Sequence, residues 1–314
     1  MTRLPIPSCT SFRPSGGAPR RLRAASLPLL ALLLAALLGA CGRKPNGDAP
    51  PRATTAAPGS PTERVTSAAD RTGAGTVTSA PAQPVVMPSG PPATVTFASS
   101  DGVTISATLR IGERGATPII LVHQLGSTRA EWEPLVAKLA AEGWTTLAID
   151  LRGHGQSTEG TGPRPRTYAY GSFRDTDWRD TQRDVRAALD FLAAREEIAA
   201  QSAVLIGSSI GGTACLAAAA EDPRFVRVAV LSPGRAYRGF DAIIPASKLG
   251  ERELLILRAQ DETMTQETGE VLDRIVSHST LRLVPGASHG VAMLTDDPTQ
   301  LDALVAFVRA AQPQ

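Results

Sequence analysis

The sequence predicts an α/β fold, a mostly parallel sheet of about eight strands with helices on both faces and no large cap domain. Three observations predict it. From Thr94 onward short β-rich runs alternate with amphipathic helical patterns, the signature of parallel strands joined by crossover helices. An Asp101-Gly102 pair ahead of that alternation marks a hairpin. One β-rich run, 203–206, passes directly into Gly207-Ser208-Ser209-Ile210-Gly211-Gly212 and an alanine-rich helix.

In chain order, Thr94-Val95-Thr96-Phe97 and the alternating run 103–109 flank Asp101-Gly102 and form an antiparallel opening. The later strands are 119–122, 145–149, 203–206, 226–231, 254–257 and 281–284, each a short run rich in Val, Ile and Leu. Helical patterns occupy 129–141, 178–194, 211–220, 266–276 and 298–309. In such sheets the ligand site lies beyond the carboxyl ends of the strands, so the residues just after each run carry the functional argument. The segment 235–252 is too short for a full cap. The insert 158–177, with Pro163, Pro165, Tyr168, Tyr170 and Phe173, forms either one wall of the pocket or a plain surface loop.

Ahead of this domain, 93–314, the chain divides twice. Arg20, Arg21 and Arg23 precede a leucine-rich run, 27–38, followed by Gly39, Ala40 and Cys41. That run falls short of the roughly 20 residues that span a bilayer, so 1–40 reads as a secretory signal. Residues 41–92 are dominated by Pro, Ala, Thr, Ser and Gly and cannot bury enough apolar surface to order themselves. A disordered tether and a merely tolerated tail predict the same composition.

The 314 residues carry 32 Lys plus Arg against 30 Asp plus Glu, a net charge of +2. No basic run interleaves with aromatics, which argues against nucleic acid as a partner. Cys9, Cys41 and Cys215 form no Cys-x-x-Cys pair, and His123, His154, His278 and His289 have no metal-ligand spacing. No metal site, disulfide framework or organic cofactor is therefore expected.

Ser209 is the candidate nucleophile. A serine on a tight strand-to-helix turn needs small neighbours two residues away on each side, and Gly207 and Gly211 supply them, whereas Ser208 has Ile206 two before it. Gly286-Ala287-Ser288-His289-Gly290 repeats the bare pattern but lacks a following helix of small residues and any later histidine. That loop supplies the base instead: His289 follows the last strand and is placed to take the serine proton. The carboxylate that orients it is expected between them in sequence, at Asp261 after the run 254–257, with Glu262 as an adjacent competitor. The end of the preceding strand holds Ser232-Pro233-Gly234 and no carboxylate. The oxyanion donors are expected to be the amide of Ile210 and one from the loop His123-Gln124-Leu125-Gly126-Ser127.

With Asp150-Leu151-Arg152-Gly153-His154-Gly155-Gln156-Ser157, these residues resemble the α/β-hydrolase superfamily over about 94–308. The resemblance implies the α/β-hydrolase fold, structural roles for His123 and His154, and an oxyanion amide at Leu125. Relatives carry glycine where this chain has Gln124, so Leu125 or Gln124 remains the second donor. Capless members resemble dienelactone hydrolases and small carboxylesterases, although the former use cysteine where this chain has Ser209. The implied activity is serine-dependent hydrolysis of an ester-type acyl bond. Peptidase, thioesterase or acyltransferase chemistry on the same triad, and a non-catalytic binding module, are the alternatives. Leu38-Gly39-Ala40-Cys41 resembles the lipobox of bacterial lipoproteins. That implies cleavage before Cys41, its diacylation, and a lipid anchor in the cell envelope, against ordinary cleavage or a short anchor. Gly42, in place of Asp after the cysteine, points to the outer membrane in a host that has one.

Overall fold

The computed structural model describes residues 90–112, 117–162, 165–198 and 200–311. The signal segment 1–40, Cys41 and nearly all of the tether 41–92 lie outside the described residues. Strands β1 (Ala93–Ala98) and β2 (Thr104–Arg110) open the domain, followed by β3 (Ile119–Val122), helix α1 (Glu133–Ala141) and β4 (Thr146–Ile149). The insert holds two short strands, β5 (Glu159–Gly160) and β6 (Arg166–Thr167), before α2 (Asp175–Ala193). Then come β7 (Ala203–Ser208), α3 (Ile210–Glu221), β8 (Phe225–Leu231), a small hairpin of β9 (Ala236–Tyr237) and β10 (Phe240–Asp241), and α4 (Ile243–Ala246). The chain closes with β11 (Glu253–Ala259), α5 (Thr263–Ile275), β12 (Ser279–Val284), α6 (Ala292–Asp296) and α7 (Thr299–Arg309).

Eight strands form one sheet in the order β1-β2-β4-β3-β7-β8-β11-β12. The β1–β2 and β2–β4 pairs are antiparallel and the rest parallel. Every residue of β3, β4 and β7 is buried, which explains why these strands read as continuous apolar runs. Two cores flank the sheet. On one side Trp178, Leu189, Leu216 and Leu272 from α2, α3 and α5 pack on Ile120, Leu205 and Ile256. On the other Leu135, Leu139, Leu294 and Leu304 from α1, α6 and α7 pack on Leu121, Ile206 and Leu257.

The expected helix over 129–141 divides. A 3-10 turn, Arg129–Trp132, precedes α1, because Pro134 lacks an amide and suits only the first turn of a new helix. Helix α2 begins three residues before the apolar pattern does, because the Asp177 carboxylate accepts the Arg174 amide at 2.9 Å and closes the first turn. Between β8 and β11 only the β9–β10 hairpin and α4 intervene, so no large cap is inserted at that point.

Candidate active site

Ser209 stands between β7 and α3 with φ 51° and ψ −117°, a backbone conformation that a serine adopts at a cost. The turn forces it. A Cβ on Gly207 would lie 2.6 Å from the Gly211 carbonyl oxygen, and one on Gly211 would lie 2.4 Å from the carbonyl oxygens of His123 and Val122. Both positions thus require glycine, and the close approach packs the head of α3 on the end of β3. The Ser209 amide donates to the Leu231 carbonyl at 2.8 Å, which ties the turn to the end of β8. Ile210 opens α3, so its amide is one of the helix's first donors, which have no acceptor within the helix.

The carboxylate partner of His289 is Glu262, and this corrects the expectation of Asp261. His289 Nδ1 lies 2.5 Å from Glu262 Oε1. Glu262 is buried and Asp261 exposed. The cause is local. Beyond β11 the chain stays tied to β12 through Gln260 N–H to the Val284 carbonyl and Asp261 N–H to the Gly286 carbonyl, but it turns there, with the Glu262 amide donating to the Ala259 carbonyl at 3.3 Å and Gln260 and Asp261 both exposed on the outside of the turn. Asp261 faces solvent, and the next residue, one methylene longer, turns inward. Burial by itself would raise the Glu262 carboxyl, but hydrogen bonds with His289 and Ser232 and the charge of His289 outweigh it and hold the group below the ordinary glutamate value.

Ser232 completes this arrangement, a role that sequence reasoning missed. It is wholly buried at φ 48° at the end of β8. Its hydroxyl donates to Glu262 Oε2 at 2.7 Å and accepts the Gly290 amide at 2.8 Å. One hydroxyl therefore orients the carboxylate and pins the residue that follows His289. The legible signal was a small hydroxyl side chain at a strand end before Pro-Gly, beside the strand that carries the acid. Ser209, Ser232, Glu262 and His289 thus follow four adjacent parallel strands, β7, β8, β11 and β12. The histidine loop also reaches the nucleophile turn, since a Cβ on Gly290 would lie 2.4 Å from Ser208 Oγ. Among the described residues no hydrogen bond joins Ser209 Oγ to His289, and such bonds tighten when substrate occupies a site.

On the other side of the turn, the loop after β3 is held from several directions. His123 Nε2 accepts the Leu151 amide at 3.0 Å, so Nδ1 carries the proton and donates to the Gln124 carbonyl at 2.7 Å. Burial pulls the His123 imidazole down to about 4, against the opposing effect of that hydrogen bond. The Gln124 amide donates to Glu131 Oε1 at 3.0 Å and is therefore engaged, whereas among the described residues the Leu125 amide, the other donor expected from this loop, has no such partner. A trans peptide sets its N–H opposite its C=O; with the Gln124 carbonyl turned to His123, the Leu125 N–H points away from it. Burial raises the Glu131 carboxyl above its ordinary range, opposed by the hydrogen bond from the Gln124 amide and by His289.

The insert packs beside the loop after β3. Tyr170 stacks on His154 with ring centroids 4.3 Å apart, and its hydroxyl lies 3.5 Å from where a Gly126 Cβ would stand. His154 is itself buried with Nδ1 3.0 Å from the Arg152 carbonyl, while His278 pairs with Glu251 on the surface. Cys215 is buried in α3, where burial pushes its thiol up and away from nucleophilic use.

This sheet order, with a strained serine at the head of α3 and a carboxylate–histidine pair two and three strands away, is the α/β-hydrolase fold. The family model described as the alpha/beta hydrolase fold matches residues 117–245. These likenesses support the α/β-hydrolase superfamily for this chain. It is similar to 2-(acetamidomethylene)succinate hydrolase of Mesorhizobium japonicum, with 32% identity over 39% of this chain and 38% of that protein. It is also similar to serine hydrolase BPHL of Mus musculus, with 29% identity over 46% of each chain. In both cases the match spans less than half the relative's length. Among solved structures, the α/β hydrolase GrgF from Penicillium sp. sh18 superposes with a TM-score of 0.59 at 14% identity, over 70% of this chain and 98% of that one. The Pyrococcus furiosus esterase PF2001 superposes with a TM-score of 0.55 at 16% identity, over 69% and 89%. At these identities the structural likeness speaks for the fold.

Proposed function

We propose that this protein is a serine hydrolase that cleaves an ester-type acyl bond through an acyl-enzyme on Ser209. The observation that carries the reading is the strained Ser209 beside a His289–Glu262 pair on the ends of neighbouring strands. In the proposed cycle Ser209 Oγ attacks the carbonyl while His289 Nε2 takes its proton. The amides of Ile210 and Leu125 receive the developing oxyanion. Glu262, ionised, holds the imidazole through Nδ1 and balances the imidazolium charge. His289 then protonates the leaving alkoxide, and a water that it deprotonates releases the acid. These steps call for no metal or organic cofactor.

A carboxylic ester is favoured by an apolar rim beside the oxyanion loop, where Leu125 and Tyr170 are exposed. The exposed position of Asp261 would favour a non-catalytic binding module had no other carboxylate reached His289, but Glu262 does. We further propose that Cys41 is diacylated and tethers the domain to the cell envelope. The support is Leu38-Gly39-Ala40-Cys41 behind an arginine-flanked leucine run. The mechanism is tested by incubating the full chain with a fluorophosphonate probe and mapping the adduct. Labelling at Ser209, lost in Ser209→Ala and His289→Ala, is the expected result; a folded but unlabelled protein would sink the reading.

A further inference from the structure

We propose that the side-chain carboxamide of Gln124 is a third oxyanion donor, a catalytic contact added to the two backbone amides; this rests on the serine-hydrolase reading above. Where relatives have glycine, Gln124 touches the residue before Ser209 and the space beside the residue after His289. Its main chain is held at both ends, the amide by Glu131 and the carbonyl by His123 and by the Ser127 amide at 3.2 Å. Its side chain is held as well. Gln124 Oε1 accepts the Ser208 hydroxyl at 3.2 Å, one residue before the nucleophile. The same oxygen occupies the space beside Gly290, where a Cβ would come within 2.2 Å of it.

The fixed oxygen determines what the other half of the carboxamide does. Oε1 is turned inward, between the buried Ser208 and the buried Gly290. A planar carboxamide then directs Nε2 away from them. Among the described residues Nε2 donates to nothing, yet it is not among the buried polar atoms left without a partner; it is open to solvent. Two N–H bonds are therefore free at a side chain that sits between the loop of Leu125, the residue before Ser209 and the residue after His289. In this proposal the new negative oxygen of a tetrahedral intermediate on Ser209, the neighbour of Ser208, comes within reach of those N–H bonds. A neutral carboxamide held in advance stabilises such a charge without reorganising. The glycine of relatives cannot offer this contact.

The test uses the full chain, purified in detergent, with 4-nitrophenyl acetate as substrate and phenylboronic acid as tetrahedral analogue. Gln124→Met keeps the length and loses the donor; Gln124→Gly restores the relatives' residue. Expected for both is a fall in kcat of about 10- to 100-fold with KM little changed, and a loss of phenylboronate affinity in the same proportion. A merely structural role would lower thermal stability without tracking boronate affinity. Either variant retaining full kcat and boronate affinity, in a protein that Ser209→Ala inactivates, overturns the third donor and leaves the hydrolase reading intact. A wild-type chain that neither turns over the ester nor accepts a fluorophosphonate on Ser209 overturns both.

Discussion

Glu262 and Asp261 are neighbours of the same charge, and the difference between them decides the chemistry of His289. Glu262 is buried, bonded to His289 and Ser232, and held ionised by them. Asp261 is exposed. Glu262→Gln is expected to lower kcat by about 10³- to 10⁴-fold, since a carboxamide can neither fix the same tautomer nor balance the imidazolium. Asp261→Asn is expected to leave kcat near the wild-type value. Steady-state kinetics of the two variants side by side check this; the reverse order of effects would return the acid to Asp261. The region of the acid was legible in the sequence, because a carboxylate was due after β11. The choice between two adjacent carboxylates was not, because it depends on how the chain turns beyond β11 at residues 260–261.

At the scale of elements, the loop after β4 is the brace that holds α2 and the opening hairpin together. Arg152 is nearly fully buried and donates to Asp184 of α2 at 2.7 Å, to Asp101 in the β1–β2 turn at 2.7 Å, and to Ser99 at 3.2 Å. Coulombic attraction and hydrogen bonds from both carboxylates overcome burial and hold the guanidinium charged. Removing it would strand the fully buried Asp184. Arg152→Ala is expected to cost about 3–5 kcal/mol of stability, read as a lower urea midpoint; a change under about 1 kcal/mol would show that the network contributes only specificity of packing. Apolar alternation had revealed the strands and helices on either side, but nothing in local spacing joined Asp101, Arg152 and Asp184, which are far apart in sequence.

Across the whole molecule, stability should depend on acid through His123. Its imidazole titrates near 4 in the folded chain against 6.5 for an ordinary histidine. Between those values the unfolded chain binds a proton that the folded chain refuses. Stability from this group is therefore complete above 6.5 and is lost as pH falls toward 4, by up to about 3 kcal/mol. Urea unfolding from pH 7 to pH 4 checks it, with a shallower slope expected in His123→Gln. The proposed anchor is also a property of the whole chain. Cys41→Ser is expected to abolish metabolic labelling with radioactive palmitate and release the protein from the membrane fraction; undiminished labelling would place the acyl group elsewhere.

By itself the sequence determined the mostly parallel sheet, the nucleophile turn and the strand that carries the histidine, because those follow from periodicity and from the steric demand of a serine flanked by glycines. Each is a property of a few consecutive residues. Tertiary structure alone decided that Glu262 meets His289, that Ser232 supports them, and that Gln124 lies against Ser208 and Gly290. Those contacts join the ends of strands remote in sequence. They depend on strand order and on how the chain turns beyond the end of each strand.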